Sequence, residues 1–373
     1  MAMNWSELPK ELVNWISKLI DTEIDLIRFR SICSKWRYSS IPNHHRNILT
    51  IQYPLLKFPL DIDSINSNTP FCNLSKHSFF LIKPPPQTLI RTPWIIKITQ
   101  NSTGKTQHYH PLLGHFSPFP SPVLDFNNLS LIHLVTNFIH RHDTTNDVPY
   151  GYMNPGKVVA VTSHGKNPIV LGTFNCTGQP VVFKCGDENW KVIPNMSAYL
   201  GDIYVFKGRP YAVDKTGWTV TVEPDNSTVQ LVAESLVGGG DIKFLVESNG
   251  NLLLADVYDR LYNDLSLNSD HDHEHVRIDV FKLNKKDMEW VKVANLGDRV
   301  LFLGSLCSFS VSASDLCLAK GNCVIIIDNI FTRVYCESSF LDLDDGRLLP
   351  LTDFPEYRKL FWPPPKWIQN LNA

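Results

Sequence analysis

An excess of charge of either sign is missing from this chain: 35 Lys and Arg stand against 37 Asp and Glu, a formal net charge of −2. Without a cationic surplus there is no general field for polyanions, which sets nucleic acid aside as a partner. Charge of any kind is sparse, at 19% of residues against the ~25% of an average globular chain, while hydrophobic residues reach 43%. Such a chain buries a large core and is not disordered overall. Long apolar runs are absent too. Val300 to Leu303 and Val324 to Ile327 are strand-sized, far short of the ~20 residues a membrane-spanning helix needs, so no membrane partner is expected. The start, Met1-Ala2-Met3-Asn4-Trp5-Ser6-Glu7, has neither the basic nor the apolar region of a secretory signal. The 8 cysteines contain no C-x-x-C pair. In a chain without a signal they read as reduced, mostly buried thiols, and N-x-[ST] triplets such as those at Asn101 and Asn226 read as frequent Asn and Ser. The expected address is the nucleus and/or the cytoplasm.

Signatures of catalysis are missing as well. Asn101-Ser102-Thr103-Gly104-Lys105-Thr106 ends like a phosphate loop, but the first glycine of that motif is replaced by Thr99, and the segment reads as a turn. Gly238-Gly239-Gly240 lacks the following lysine and helix and reads as a connection that uses positive φ angles. His271-Asp272-His273-Glu274-His275 places three imidazoles alternately along an extended segment, and two of them could hold Zn or Ni. It lies, however, in a polar loop running from Asp259 to Glu274, and a metal site needs rigid support for its ligands. His44-His45, His108/His110 and His140/His142 have no sequence partner of catalytic type, and no G-x-S-x-G, H-E-x-x-H or kinase set occurs. No catalytic residue, metal or cofactor is assigned, and the chain is not expected to be an enzyme.

What is present falls into two kinds of sequence. Residues 5 to 37 have helical period: Leu12, Ile16 and Leu19 share a stripe with Val13 and Ile20 beside it, and Leu26, Phe29, Cys33 and Trp36 follow at spacings of 3, 4 and 3. Pro9 stands at the helix start, where its missing N–H costs nothing, and Asp21 or Thr22 can cap a second helix. Two or three short helices in so few residues make a poor independent core. Either a partner covers their apolar face, or they cap the rest of the chain.

After Ser40 the punctuation changes. Pro42, Pro54, Pro59 and Pro70, then Pro84-Pro85-Pro86, break a segment that reads as linker plus first strands. From Trp94 on, short β runs alternate with turn clusters, among them Trp94 to Ile98, Val158 to Val161, Ile169 to Leu171, and the hairpin Asp202 to Phe206, Gly208-Arg209, Pro210 to Val213. Trp218 to Val222 and Val229 to Ala233 extend it to four strands. Gly201-Asp202-Ile203 recurs 39 residues later as Gly240-Asp241-Ile242, and Val182-Phe183-Lys184…Trp190 recurs as Val280-Phe281-Lys282…Trp290. Four-strand repeats of ~40–50 residues are the mark of propeller blades, and the available length gives about six to seven of them. A tandem β-sandwich is the rival. Trp94, Trp190, Trp218 and Trp290 are expected in blade cores. The domain reading is 1–45 helical, 46–90 linker and first strands, 91–368 propeller: mainly β with a small α domain.

The residues Trp5, Leu8, Pro9, Glu11, Leu12, Ile16, Ile20, then Arg28-Phe29-Arg30-Ser31-Ile32-Cys33 and Trp36-Arg37 resemble an F-box. That resemblance implies a three-helix unit that binds a Skp-type adaptor, and through it a cullin and a RING subunit of a ubiquitin ligase. It carries Leu8, Pro9, Leu12, Ile16, Leu19, Cys33 and Trp36 over as adaptor-facing or as supporting that face. The physics is that of a helix docking apolar anchors at i, i+3 and i+4 into a groove.

Further on, Pro93-Trp94-Ile95-Ile96-Lys97…Tyr109-His110-Pro111-Leu112, Ser310 to Asp315, Gly321 to Asp328, Phe340 to Gly346 and Trp362-Pro363-Pro364-Pro365-Lys366-Trp367 are similar to plant F-box proteins with a KIB-type, kelch-like β-propeller. The family pattern has Asn-Pro-Leu where this chain has His110-Pro111-Leu112, and an aromatic-rich run where it has Ile325-Ile326-Ile327. Those departures bear on any family-wide ligand site, not on the fold. The resemblance implies a substrate-recruiting adaptor of a Skp–cullin–F-box ubiquitin ligase, with an unknown target protein. The alternatives are an interaction protein that masks a partner outside a ligase, and a metal- or glycan-binding propeller enzyme.

Overall fold

The computed structural model describes residues 5–20, 23–40, 52–54, 56–57, 71–85, 92–100, 106–109, 111, 129–141, 152–153, 155–161, 169–174, 180–197, 201–223, 227–259, 276–327 and 338–369. The chain divides into two compact units: one of residues 1–51, 75–134 and 359–373, the other of 52–74 and 135–358. The expected domain boundaries at 45/46 and 90/91 lie outside the described residues.

In the first unit, a single 3-10 turn at Trp5–Glu7 precedes helices α1 (Lys10–Leu19), α2 (Glu23–Ser31) and α3 (Ser34–Ser39). Helix α1 starts directly after Pro9, whose carbonyl accepts from Leu12 and Val13 N–H, and carries Glu11 in its first turn and Lys18 in its last, charges that oppose the helix dipole. Strand β3 (Phe71–Lys83) pairs antiparallel with β4 (Trp94–Gln100), with Phe80 opposite Ile96, and β4 pairs with β5 (Thr106–Tyr109). Phe80, Ile82, Trp94, Ile96, Ile98 and Leu129 form a core with Trp367 and Ile368 of the C-terminal helix Lys366–Gln369, and Ile24 of α2 packs on it. Trp94 Nε1–H donates to the Phe361 carbonyl at 3.2 Å, so strand and C-terminal segment are tied by a hydrogen bond as well as by burial.

The second unit is built of successive sheets. Short strands β1 (Gln52–Pro54) and β2 (Leu56–Lys57) pair with the first residues of β3 and with β7 (Tyr152–Met153). Strand β6 (Ser130–Arg141) meets β8 (Pro155–Val161) at Phe138 and Val158. From β8 an antiparallel meander runs through β9 (Ile169–Phe174), β10 (Pro180–Lys184) and β11 (Lys191–Val192). The next four-stranded meander is β12 (Asp202–Phe206), β13 (Arg209–Val213), β14 (Thr219–Val222) and β15 (Val229–Ala233). A third is β16 (Ile242–Ser248), β17 (Asn251–Asp259), β18 (Val276–Asn284) and β19 (Glu289–Lys292). The last sheet departs from the simple meander: β20 (Arg299–Leu303) pairs antiparallel with β21 (Phe309–Ser312) and parallel with β22 (Cys323–Ile326), followed by β23 (Ser339–Asp342) and β24 (Leu348–Pro350).

Both sequence repeats therefore have structural meaning. The two Gly-Asp-Ile copies open the first strands β12 and β16. The two Val-Phe-Lys…Trp copies fall on third strand, turn and fourth strand, where Phe183 and Trp190 lie 5.3 Å apart and Trp290 is buried. An apolar layer fills each gap between neighbours: Leu171, Val182, Ile203 and Val222 in one, Tyr211, Val213, Leu254 and Trp290 in the next, Phe244, Val257, Leu301 and Val324 in the third. Each large side chain so buried contributes about 1.5–3 kcal/mol. Trp290 also donates through Nε1 to the Gly217 carbonyl and Thr219 Oγ1, both at 3.1 Å. Of the four tryptophans expected in cores, Trp94, Trp190 and Trp290 are buried and Trp218 is half-buried.

Buried charge also ties the sheets together. The Asp202 carboxylate accepts from Lys157 Nζ on β8 at 2.7 Å and from the Leu245 N–H on β16 at 2.7 Å, so one side chain joins three first strands. Lys243 and Asp256 form an ion pair with no exposed surface, and Asp256 also accepts the Gly240 N–H. A Cβ on Gly240 would stand 2.4 Å from the Val257 carbonyl oxygen. Of the three consecutive glycines, then, Gly238 takes a positive φ of 68° as expected, while Gly240 is required by the close approach of backbone.

Candidate docking site

The helical segment has a small core of its own. Leu8, Val13, Phe29 and Trp36 are buried together, with Ile16, Ile20 and Cys33 packed against them. The Phe29 and Trp36 rings are 4.4 Å apart, and Trp36 Nε1–H donates to the Trp5 carbonyl at 3.1 Å. Cys33 closes the start of α3, its Sγ accepting the Trp36 N–H at 3.4 Å. Arg30 donates to the Ser40 carbonyl at 3.0 Å and to Ser40 Oγ at 3.1 Å. Burial, and then the adjacent Arg37, hold its guanidinium below the ordinary value. Helix α2 reaches out of this core: Arg28 donates to the Leu129 carbonyl at 3.1 Å, and Ile24 and Ile27 face Phe80, Ile98 and Leu131 across a small apolar gap. The segment thus does cap strands of its own unit, through α2.

Helix α1 behaves differently. Val13 is 0% exposed, but Leu12, Trp15 and Leu19 are 40%, 60% and 59% exposed. Their spacings of three and four residues set them on one side of the helix. Trp5, Ile32 and Tyr38 add further exposed apolar side chains on the same segment. Leaving so much large apolar surface in water is the mark of an interaction face.

The seven positions singled out by resemblance are divided by the structure. Leu8 and Trp36 lie inside the core, Ile16 and Cys33 are half-buried, and Pro9, Leu12 and Leu19 are exposed. Trp15 belongs to the exposed face and was not among the seven, although its spacing from Leu12 and Leu19 is the signal that finds it. The expected caps Asp21 and Thr22 lie outside the described residues.

On the blades, no three or more His, Cys, Asp or Glu side chains among the described residues could hold a metal ion. The segment from His271 to His275, with most of the loop from Asp259 to Glu274, lies outside the described residues, as do Asn101 to Lys105, His44, His45, His110 and His142. His108 sits half-buried on β5 opposite Ile98, where burial lowers its pKa. Cys185, Cys307 and Cys323 are buried, Cys33 half-buried and Cys317 exposed. Burial pushes the Cys323 thiol up to about 11, against a hydrogen bond from Tyr357 that pulls it down, so it is protonated and a poor nucleophile at neutral pH. No described helix is long and apolar enough to cross a membrane.

Comparison with known proteins accounts for both regions. Residues 71–347 match the family described as KIB1-4 beta-propeller. The F-box protein SKIP23 of Arabidopsis thaliana is 34% identical over 406 residues, covering 99% of this chain and 96% of its own. A second F-box protein of that plant is 30% identical over 401 residues, covering 98% of this chain and 95% of its own. A putative F-box/kelch-repeat protein, again from Arabidopsis thaliana, is 25% identical over 387 residues, with 98% and 99% covered. With a propeller match over most of its length and F-box relatives aligned from end to end, the chain belongs to the plant F-box proteins that carry a KIB1-4 beta-propeller.

Proposed function

We propose that this chain is the substrate-recruiting subunit of a Skp–cullin–F-box ubiquitin ligase, acting in the nucleus and/or cytoplasm and making no bond itself. The observation that carries the reading is the exposed Leu12-Trp15-Leu19 face of α1 on a helical segment with only a small core. An apolar helix face of this kind docks into a partner's groove through anchors three and four residues apart. In this reading Leu12, Trp15 and Leu19, with Pro9 and the half-buried Ile16, touch the Skp-type adaptor. Leu8, Cys33 and Trp36 hold that face in shape from behind. The adaptor brings the cullin and the RING subunit. The propeller, with the six to seven blades expected from its repeat length, presents an as yet unnamed target protein to a ubiquitin-charged enzyme. Its contribution is effective concentration and orientation of a target lysine, and loops on the rigid blades carry the specificity.

The test is co-purification with a Skp-type adaptor. Leu12→Asp with Leu19→Asp is expected to weaken adaptor binding by at least about tenfold, since central apolar anchors dominate such interfaces. The thermal unfolding of the chain should be nearly unchanged, because both side chains are already in water. Unchanged adaptor binding in this double variant would sink the assignment of α1 as the docking face.

A further inference from the structure

Helix α2 is covered on two faces, and only one of them belongs to the helical segment. Phe29 joins the core of that segment, against Trp36. Ile24, Ile27 and Arg28, three and four residues apart, form a second stripe. Ile24 and Ile27 face Phe80 of β3, Ile98 of β4 and Leu131 of β6, and Arg28 donates to the Leu129 carbonyl at 3.1 Å. Strands alone do not complete the apolar layer on which this stripe sits. Trp367 and Ile368 of the helix Lys366–Gln369, 3% and 0% exposed, fill it from far along the chain. Three hydrogen bonds hold residues 360–369 there. Ile95 N–H donates to the Leu360 carbonyl at 2.7 Å, Trp94 Nε1–H to the Phe361 carbonyl at 3.2 Å, and Trp367 Nε1–H to the Thr92 carbonyl at 2.9 Å.

The helical segment needs that seat. Its own core holds only four buried apolar residues, Leu8, Val13, Phe29 and Trp36, and a unit below ~40 residues seldom keeps its fold without outside support. Removing Trp367 and Ile368 from the layer unpacks Phe80 and Ile98, and the stripe of α2 then has no firm floor. A segment that spends less of its time folded binds its partner more weakly in proportion to the folded fraction. Order of synthesis adds a consequence. Helix α2 ends at Ser31 and the helix Lys366–Gln369 begins about 335 residues later, which at about 5–20 residues per second is roughly 20–70 s of translation.

From this we infer that Trp367 and Ile368 are positioning residues for the adaptor-docking helices: their seating in the layer shared by β3, β4 and α2 sets how much of the time α1 to α3 present a folded docking face. This rests on the reading of α1 as the docking face and adds the condition under which that face is ready. A chain made through the blades but not through residue 369 carries its helices without their seat. Adaptor engagement is thereby biased toward chains whose blades are already made. The two stretches act on each other only through packing and three hydrogen bonds, so the coupling is a matter of local folding equilibrium and involves no bond made or broken.

The experiment uses the full chain and a purified Skp-type adaptor, with affinity measured by calorimetry and amide hydrogen exchange followed in parallel. Trp367→Ala is expected to raise exchange in α2 and at Ile95, and to weaken adaptor binding by at least about fivefold, the lower end of ordinary coupling between sites. Ile24→Ala with Ile27→Ala cuts the same link from the helix side and carries the test if Trp367→Ala is not recovered folded. It should weaken binding comparably, and joining it to Trp367→Ala should cost less than the sum of the two. Trp290→Ala, in a layer between other sheets, should leave adaptor affinity within about twofold. Coupling is reciprocal, so saturating adaptor should slow exchange at Ile95 and Ile368 in the unsubstituted chain, which a merely structural Trp367 would not produce. Unchanged affinity in Trp367→Ala despite raised exchange at Ile95 overturns the inference. An equal loss in Trp290→Ala, or exchange at Ile368 that ignores the adaptor, overturns it too. An unsubstituted chain that binds no adaptor would instead sink the ligase reading, and raised α2 exchange in Trp367→Ala would still leave the seat standing.

Discussion

Helices α1 to α3 bury Leu8, Val13, Phe29 and Trp36 and leave Trp5, Leu12, Trp15, Leu19, Ile32 and Tyr38 in water. Sheets β12–β15 and β16–β19 bury Tyr204, Phe206, Tyr211, Leu245, Leu254 and Trp290 against one another, and their exposed large apolar residues are single and scattered, such as Val237 and Met288. The sheets find their partner surface in the next copy of the same element along the chain. The helices have no second copy among the described residues, and their outward face stays exposed. In the proposed reading one region is specified by stability and the other by association, so substitutions in each should be read out in different assays.

The largest effect is expected where the blades hold charge out of water. Asp256→Ala would leave the Lys243 ammonium in a site with no exposed surface and remove the acceptor of the Gly240 N–H. Breaking a buried pair in this way costs about 3–5 kcal/mol. Chemical denaturation should show that loss, while adaptor binding per folded molecule stays as in the parent. Lys243→Met combined with Asp256→Leu should recover much of it, since no charge is then stranded. A cost under about 1 kcal/mol for Asp256→Ala would mean that the pair is not what secures this sheet.

Next in size is a pair of tryptophans, one in each region. Trp36→Ala removes the largest member of the helical core, at about 3–5 kcal/mol, and should free the amides of α1 and α3 to hydrogen exchange while those of β16 to β18 remain protected. Trp290→Ala should do the reverse, because its ring fills the layer between two sheets and its Nε1–H donates to Gly217 and Thr219. If either substitution loosened both regions equally, the separation drawn between them would fail.

How far this contrast was legible in the sequence differs by region for a physical reason. In the blades, a repeat announces itself: Gly201-Asp202-Ile203 and Gly240-Asp241-Ile242 open equivalent strands, and Trp190 and Trp290 fall at the start of equivalent fourth strands. What the repeat hid were its charges. Lys157, Asp202, Lys243 and Asp256 stand in strands, where alternation suggests a wet face, yet all four are buried, Lys157 pairing with Asp202 across two sheets and Lys243 with Asp256 on neighbouring strands of one sheet. In the helices, period showed which residues share a side but not which side is covered. Leu12, Leu19 and Trp36 stood together as adaptor-facing or as supporting that face, and only the three-dimensional arrangement separates the exposed leucines from the buried Trp36. Cys33 looked like an apolar residue and works as a cap.

The smallest effect tests whether surface charge on the blades matters to stability at all. Burial works against ionisation of Asp279, but hydrogen bonds from Arg277 and Lys292, the latter at 2.9 Å, outweigh it and hold the carboxyl below its ordinary value. Tyr258 lies under the Arg277 guanidinium, 4.7 Å from ring centroid to Cζ, and its hydroxyl is pushed up to about 12, first by burial and then by Asp256 and Asp279, so it stays neutral through the acid range. A carboxyl whose folded pKa is depressed stabilises the fold above its unfolded pKa of about 3.9, and that contribution is lost as pH falls through the folded value. Arg277 and Lys292 are more than half exposed, so solvent screening keeps the gain below about 1 kcal/mol. Asp279→Asn should therefore be slightly less stable than the parent near neutral pH, with the gap closing as pH drops below the carboxylate range and narrowing in high salt. A gap that stayed constant with pH would assign the effect to packing of the side chain rather than to its charge.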